Sequence, residues 1–492
     1  MVAGALAPLA LAPANLLPLA ILSVALFWYS LKRAVHTSQA IFIGLAYGLG
    51  YFGVGVSWVF VSMVDHSQTH WFVAGLLTFL FCGGLALFYA LLAALFHHFK
   101  PQHRHPALLF IGLWVCLDLL RAWLLTGFPW LYLGYGGLGS YVAYYAPLLG
   151  VHGVTFLVVA SGLLLIGPRV NLKLRLVLMA GIWLTGYVLS YVSWTQESPQ
   201  KPIKVTLLQA NVALDKKWLP EQLTPTLNYY LKQTYRHLDS DLVVWPETAV
   251  ATYWDYIKPA FESLTKTAQE QNTQIITGTV IRDGSHYDAD YYNALVSFGA
   301  GSASTQGEYK KQRLVPFGEY IPLEQQLRGV IDFFNLPMSA FKLPTGPQGL
   351  LSQTPTRIAG NICYEIAYPQ LVAQQAKDAQ LILTVSNDTW FEHTMAPWQH
   401  LQMGQMRALE NGKPVVRATN SGVSALIDAQ GNVITLGPMY VQAEITGEVV
   451  LMEGSTPYNT GLNWPIFLLS VGFILLGLRV DLARFFPHRV KT

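Results

Sequence analysis

The chain has 492 residues, of which 52% are hydrophobic and only 12% are charged. A soluble globular protein carries about twice that charged share, so a large part of this chain is suited to lipid rather than water. A net charge of +3 without long basic runs argues against a nucleic-acid partner, and the three cysteines Cys82, Cys116 and Cys363 are too few for a disulfide framework. No Cys-x-x-Cys pair accompanies them, and neither a metal nor a cofactor is expected.

A membrane span needs roughly 20 apolar residues. In chain order the apolar stretches are Ala3–Pro13 (short for a span), Leu16–Leu31, Ala40–Met63, Trp71–Phe96, Ala107–Leu125, Ala143–Gly167 and Leu174–Val192, with one more at Leu462–Leu478. They divide the chain into an N-terminal bundle of six or seven helices over residues 1–194, a polar region over 195–458, and a C-terminal span with its tail over 459–492. The start of the chain lacks the early basic region of a cleavable signal, and apolar segments continue long after it.

Lysine and arginine alternate between loops. Lys32 and Arg33, then Lys100 and Arg104, then Arg169, Lys173 and Arg175 occupy one set, and Arg479, Arg484, Arg489 and Lys491 follow the last span. The intervening loops Val64–His70 and Ala122–Tyr141 contain neither residue. By the positive-inside rule the basic loops are cytoplasmic, so the polar region is expected outside the cytoplasm. Asp118 and Arg121, three apart in one apolar segment, read as a structural bridge near the interface.

Within the polar region, buried-strand patterns occur at Lys204–Val212, Ser240–Thr248, Thr273–Ile281, Asn293–Phe298, Thr356–Glu365, Gln380–Asp388 and Pro414–Gly422. Stretches with helical spacing separate them, notably "LTPTLNYYLKQTYRHL", "KPAFESLTKTAQEQN" and "HLQMGQMRALENGK". Strands alternating with helices predict a layered α/β fold.

Three strand ends carry chemistry-bearing side chains: Glu247 in "VVWPET", Lys310 and Lys311 in "EYKKQRLVPFGEY", and Cys363 in "GNICYEIAYP". Each alone has a plain structural reading, as a helix-start charge, a solvated lysine pair or a buried cysteine. Together they resemble the carbon–nitrogen hydrolase (nitrilase) superfamily, whose members use Glu, Lys and Cys in this order. "WPET", "YKKQRLVPFGEY", "ICYE" and "SNDTWF" resemble, more closely, the apolipoprotein N-acyltransferase family, and the order of parts along nearly the whole chain agrees.

The resemblance implies a polytopic α-helical membrane bundle joined to an extracytoplasmic nitrilase-like αββα sandwich, in the bacterial inner membrane with the catalytic domain on the periplasmic side. It makes Glu247 the general base, Lys311 the cation and Cys363 the nucleophile; Lys311 rather than Lys310 fits the family's Tyr-x-Lys spacing from Tyr309. A free thiol is only a few per cent thiolate at neutral pH and needs such activation. The N–H of Tyr364 is the expected oxyanion donor beside Lys311. Glu319 is expected to orient Lys311 or to assist proton transfer, while Glu365 has a salt bridge to Lys311 or to a loop arginine as its alternative. Asn293 and Asn387 are expected to bridge loops by hydrogen bonds, and Trp218 and Trp390 to lie near a lipid cleft. The stretch Leu314–Gly346, with Phe333, Phe334, Leu336, Met338 and Phe341, reads as a lid or membrane-dipping arm, with a packed helix as the alternative.

The implied reaction is ping-pong: acyl transfer from a phospholipid to Cys363, then from the thioester to the N-terminal amine of a diacylglyceryl-cysteine lipoprotein. Two other readings stand beside it. One is a membrane-anchored amidase or nitrilase acting on a small C–N substrate; the other is a transporter or receptor with a degenerate domain of this type.

Overall fold

The computed structural model describes residues 1–67, 69–99, 105–166, 171–284, 289–300, 307–316, 318–320, 341–346, 348–352, 354–391 and 393–478. The chain forms two compact units. One comprises Met1–Phe60, Thr69–Val192 and Asn463–Thr492, and the other Val61–Gln68 and Ser193–Leu462.

The first unit is helical. Among the described residues, Trp71–His98, Tyr141–Ile166 and Leu172–Leu189 are long and apolar enough to cross a membrane. Leu17–Arg33, Pro106–Arg121 and Trp464–Gly477 are shorter helices. The first apolar segment holds only a helix at Val2–Leu6 and a 3-10 turn at Ala7–Ala10, too little to span alone. Rings of Phe27, Tyr47, Tyr89 and Trp114 pack edge-to-face or stacked in its interior. Arg121 pairs with Asp118 at 3.0 Å and donates to the carbonyls of Phe128 and Trp130 at 2.9 and 2.6 Å. The pair thus ties the Phe128 and Trp130 carbonyls of the following turn to its helix, a structural task.

The second unit is built on strands β1 (Gln196–Glu197), β2 (Ile203–Gln209), β3 (Leu242–Val244), β4 (Gln274–Asp283), β5 (Asp290–Gly299), β6 (Gly307–Lys310), β7 (Ile358–Ile362), β8 (Leu381–Ser386), β9 (Val415–Thr419), β10 (Ala425–Ile427), β11 (Val433–Leu436), β12 (Ala443–Val449) and β13 (Met452–Glu453). One sheet has six strands in the order β12-β2-β3-β4-β5-β6, and a second has five in the order β11-β10-β9-β8-β7. The first sheet has a parallel centre, β2-β3-β4, with antiparallel flanks, whereas in the second the parallel strands β7-β8-β9 run to one edge and only β10 and β11 are antiparallel.

Strand periodicity sorts the side chains into layers. Val205, Leu207, Leu242, Val244, Ile276 and Leu295 of the first sheet share a core with Ile358, Ile362, Leu383, Val385 and Val416 of the second. Their neighbours one residue away, Leu208, Val243, Ile275, Ala294 and Val296, face the other way. There they pack with Tyr230 from the helix Pro220–Arg236 and with Leu264 and Ala268 from the helix Glu262–Glu270. Helices Pro369–Ala376 and Ala396–Asn411 pack on the five-stranded sheet. The result is an αββα sandwich. A fully buried Leu, Ile or Val contributes roughly 1.5–3 kcal/mol, so the shared core fixes the two sheets against each other. Strand ends from both therefore converge.

All seven strand patterns and all three helical stretches of the polar region lie on observed elements of the same type. β10, β11 and β12 were not among the strand patterns: β10 has three residues, β11 alternates between half-buried and exposed positions, and β12 buries only Ile445 and Val449.

Candidate active site

Glu247 follows β3, Lys311 follows β6, Cys363 follows β7 and Asn387 follows β8. Glu247 leaves its strand along a path that crosses Gly278 of β4. A Cβ on Gly278 would lie 2.5 Å from the Pro246 carbonyl oxygen and 2.7 Å from Glu247 Cα, so only glycine allows this approach. Thr248, next in the chain, takes a positive φ of 45°.

The Glu247 carboxylate is buried and held at both oxygens. Oε1 accepts from Asn293 Nδ2 at 2.7 Å and from Lys311 Nζ at 3.3 Å; Oε2 accepts from the backbone N–H of Asn387 at 3.0 Å. Burial works against its charge, but the Lys311 ammonium and the Asn293 amide override it and hold the carboxyl below the usual range. Lys311, 1% exposed, also donates to Glu319 Oε1 at 2.8 Å. Burial alone would lower its pKa; the two carboxylates raise it instead, and the ammonium is permanently charged near neutrality. Asn293 Nδ2 reaches Glu319 Oε1 as well, at 2.9 Å, and the Val315 N–H reaches Glu319 Oε2 at 2.9 Å. One ammonium and one amide thus bridge two carboxylates.

Cys363 ends β7 with φ +51°, in the left-handed region that costs an L-residue roughly 1–2 kcal/mol. The chain turns there from strand into a 3-10 turn, Cys363–Ala367. Cys363 is half-buried at this elbow. Its sulfur lies 3.5 Å from Ser386 Oγ, whose single proton goes to Asp388 Oδ1, and the residue after Ser386 is Asn387, whose N–H holds Glu247. Burial, then the Glu247 carboxylate, push the thiol pKa up, while Lys311 pulls it down. The resting group is a thiol.

Glu365 proves to be a brace rather than an ion-pair partner. Its Oε1 accepts from the Tyr309 hydroxyl at 2.9 Å and from the backbone N–H groups of Gln312 and Arg313 at 2.5 and 3.2 Å, and its Oε2 accepts from the Ile362 N–H at 2.7 Å. It bonds the backbone at Arg313, not the guanidinium, and so ties the Lys311 loop to the Cys363 elbow. Burial pushes its carboxyl up to about 7, against the pull of these donors.

Asn293 reaches Glu247 and Glu319 through its side chain, whereas Asn387 reaches Glu247 through its backbone. The Asn387 Oδ1 accepts from Thr389 Oγ1 at 2.7 Å and from Asn420 Nδ2 at 3.3 Å, bridging two loops. Tyr364 is buried edge-to-face on Tyr368. Trp218 is exposed, and Trp390 is half-buried, its carbonyl accepting from Ser62 Oγ at 2.5 Å. Phe341 departs from an exposed arm: it is buried with Val280 and Leu314, and its N–H donates to the Glu319 carbonyl at 3.3 Å. Its aromatic surface is used in packing beside the Glu319 loop. Phe333, Phe334, Leu336 and Met338 lie outside the described residues.

Sequence reasoning missed Lys217, which is buried and donates to the Glu247 backbone carbonyl at 3.1 Å. It also missed a buried cluster beneath Cys363, formed by Ser386, Asp388, His400 and Arg417. The available signal was Arg417, a charge inside the buried strand pattern "PVVRATNSG", which demands a partner. Among the described residues no group of His, Cys, Asp and Glu could hold a metal ion.

The profile described as carbon-nitrogen hydrolase matches residues 204–449, and that described as the apolipoprotein N-acyltransferase N-terminal domain matches residues 3–164. An apolipoprotein N-acyltransferase of Pseudomonas aeruginosa is 42% identical over 97% of this chain and 94% of its own length. The chain belongs to the apolipoprotein N-acyltransferase family. A namesake from Azotobacter vinelandii is 43% identical over 98% of this chain and 95% of its own length. A nitrilase-superfamily crystal structure from Saccharomyces cerevisiae covers 52% of this chain and 93% of its own at 17% identity and a TM-score of 0.39. Membership makes this chain an enzyme, an acyltransferase within the carbon–nitrogen hydrolase superfamily, and removes the transporter reading.

Proposed function

We propose that this protein transfers an acyl chain from a phospholipid, through a thioester on Cys363, to the N-terminal amine of a diacylglyceryl-modified lipoprotein. The observation that carries the reading is a lysine fixed between two carboxylates at the strand ends where a strained, partly exposed cysteine also emerges.

Because the thiol is protonated at rest, deprotonation accompanies attack. Glu247 takes the Sγ proton as sulfur bonds to the ester carbonyl; Oε2 has one hydrogen-bond donor where Oε1 has two, and is the oxygen suited to this. The carbonyl oxygen becomes an anion stabilised by the Lys311 ammonium and the Tyr364 N–H. Collapse breaks the ester C–O bond, the leaving alcohol takes the proton back from Glu247, and a lysophospholipid departs. In the second half the lipoprotein amine attacks the thioester. Glu247 accepts an amine proton and returns it to sulfur as the C–S bond breaks. Glu319 holds Lys311 in place throughout.

The charge alternation of the loops supports a multi-pass inner-membrane protein with this site on the periplasmic side. A site next to lipid keeps the acyl methylenes out of water, each worth roughly 0.8 kcal/mol. The test is enzyme in phospholipid vesicles with a diacylglyceryl lipopeptide bearing a free amine. N-acylated peptide should accumulate with one lysophospholipid per product, and blocking the amine should stop turnover after one lysophospholipid per enzyme. Continuous release of free fatty acid, or turnover of a small soluble amide instead, supports the hydrolase reading.

A further inference from the structure

The cluster beneath Cys363 is not used by the reaction steps above. Asp388 is its hub. Oδ1 accepts from Ser386 Oγ at 2.5 Å and faces His400 Nδ1 at 3.0 Å, and Oδ2 accepts from Arg417 Nη2 at 2.5 Å. Arg417 also donates through Nε to the Val423 carbonyl at 3.1 Å, and its Nη2 lies 3.1 Å from His400 Nδ1. All four side chains are buried. The imidazole is therefore pinned on one side by a fixed carboxylate–guanidinium pair.

The other imidazole nitrogen, Nε2, lies 3.0 Å from the Cys363 carbonyl oxygen. A carbonyl cannot donate, so Nε2 carries a proton and donates it, whether the ring is neutral or charged. This bond fixes a peptide plane. The Cys363–Tyr364 bond is trans, so its C=O and N–H point in opposite directions. A group that holds the Cys363 carbonyl on one side aims the Tyr364 N–H on the other. The plane lies where the strand gives way to the 3-10 turn at a left-handed residue, and the Nε2 bond holds it from outside that turn.

We infer that His400, anchored by Asp388 and Arg417, is a positioning residue that aims the Tyr364 N–H at the oxyanion by holding the carbonyl of the same peptide group. The inference rests on the proposed role of Cys363 as nucleophile. It goes beyond that reading, because neither the family motifs nor the Glu–Lys–Cys arrangement requires a histidine here.

Two reactions of the same sulfur separate aim from general damage. Acylation by phosphatidylethanolamine–phosphatidylglycerol vesicles passes through an oxyanion; alkylation by iodoacetamide does not. In His400→Leu the rate of Cys363 acylation should fall about 10- to 100-fold, part of the loss that follows removal of such a donor, while alkylation stays within about threefold. His400→Gln, which keeps an N–H donor near Nε2, should acylate within about threefold of the wild type. Parallel loss of both reactions in a folded His400→Leu, or no loss of either, overturns the inference. If His400→Leu does not fold, a folded His400→Gln decides: retained acylation supports the tether, and a tenfold loss contradicts it. Failure of the wild-type protein itself to acylate on Cys363 would instead sink the reading of the active site.

Discussion

The Lys311 ammonium stands 2.8 Å from Oε1 of Glu319, closer than the 3.3 Å that separates it from Oε1 of Glu247. The tighter bond belongs to the carboxylate assigned no proton transfer, as expected of a residue that positions the lysine. Glu319→Gln leaves one oxygen to satisfy Lys311, Asn293 and the Val315 N–H, where the carboxylate offered two. Acylation should slow by about 10- to 100-fold, below the loss for removing an oxyanion donor outright. Single-turnover release of lysophospholipid measures it, and a Glu319→Gln enzyme at the wild-type rate refutes the positioning role.

The pH dependence of Cys363 should be unusual. Burial and the Glu247 charge raise its thiol pKa, so the protonated form persists through the neutral range. Iodoacetamide alkylation should keep rising well beyond pH 8.5, the ordinary thiol midpoint, instead of levelling off there. Acylation should follow Glu247, whose carboxyl lies below its usual value, and its acid limb should fall below about pH 4.3. Stopped samples read by peptide mass give both profiles; a plateau of alkylation below pH 8 contradicts the account.

Much of this site was legible because its parts are linear. Glu247 and Cys363 each follow an apolar strand run that periodicity finds, whereas Lys311 follows the polar stretch "STQGEYK" and is legible only through its motif spacing. Glu365 was legible as a residue but not in its role, since nothing in "ICYE" reveals that its oxygens accept from backbone N–H groups of the Lys311 loop. His400, Asp388 and Arg417 come from a helix, a 3-10 turn and a strand that meet only in three dimensions. No spacing links them. Phe341 misled because apolar composition alone does not separate a residue that dips into lipid from one packed on a loop.

Lys217 and Lys413 are both buried lysines whose pKa burial pushes down to about 8, from an ordinary 10.5. Between those values the unfolded chain binds protons that the native state does not, so stability rises with pH across that window. Melting in detergent between pH 8 and 10 should show this rise. Lys217→Met should remove about half of it, because Lys413 supplies the rest, and an unchanged slope contradicts the assignment.

Gly422 lies against the hub of the buried cluster. A Cβ there would sit 2.5 Å from Asp388 Oδ2 and 2.6 Å from Asp388 Cβ. Gly422→Ala should therefore destabilise the domain by about 1–3 kcal/mol, the range for an overpacked core, and lower its melting temperature. Unchanged melting would mean that Asp388 yields easily and is a poor anchor for His400.

The most direct measurement of the central claim is the mass of the Cys363 peptide after incubation with phospholipid and no acceptor. The account predicts one acyl group bound as a thioester, released by hydroxylamine and by lipopeptide amine, with no adduct in Cys363→Ala, Glu247→Gln or Lys311→Met. An unmodified Cys363 in an enzyme that still N-acylates lipopeptide, or an acyl group on another residue, would contradict it.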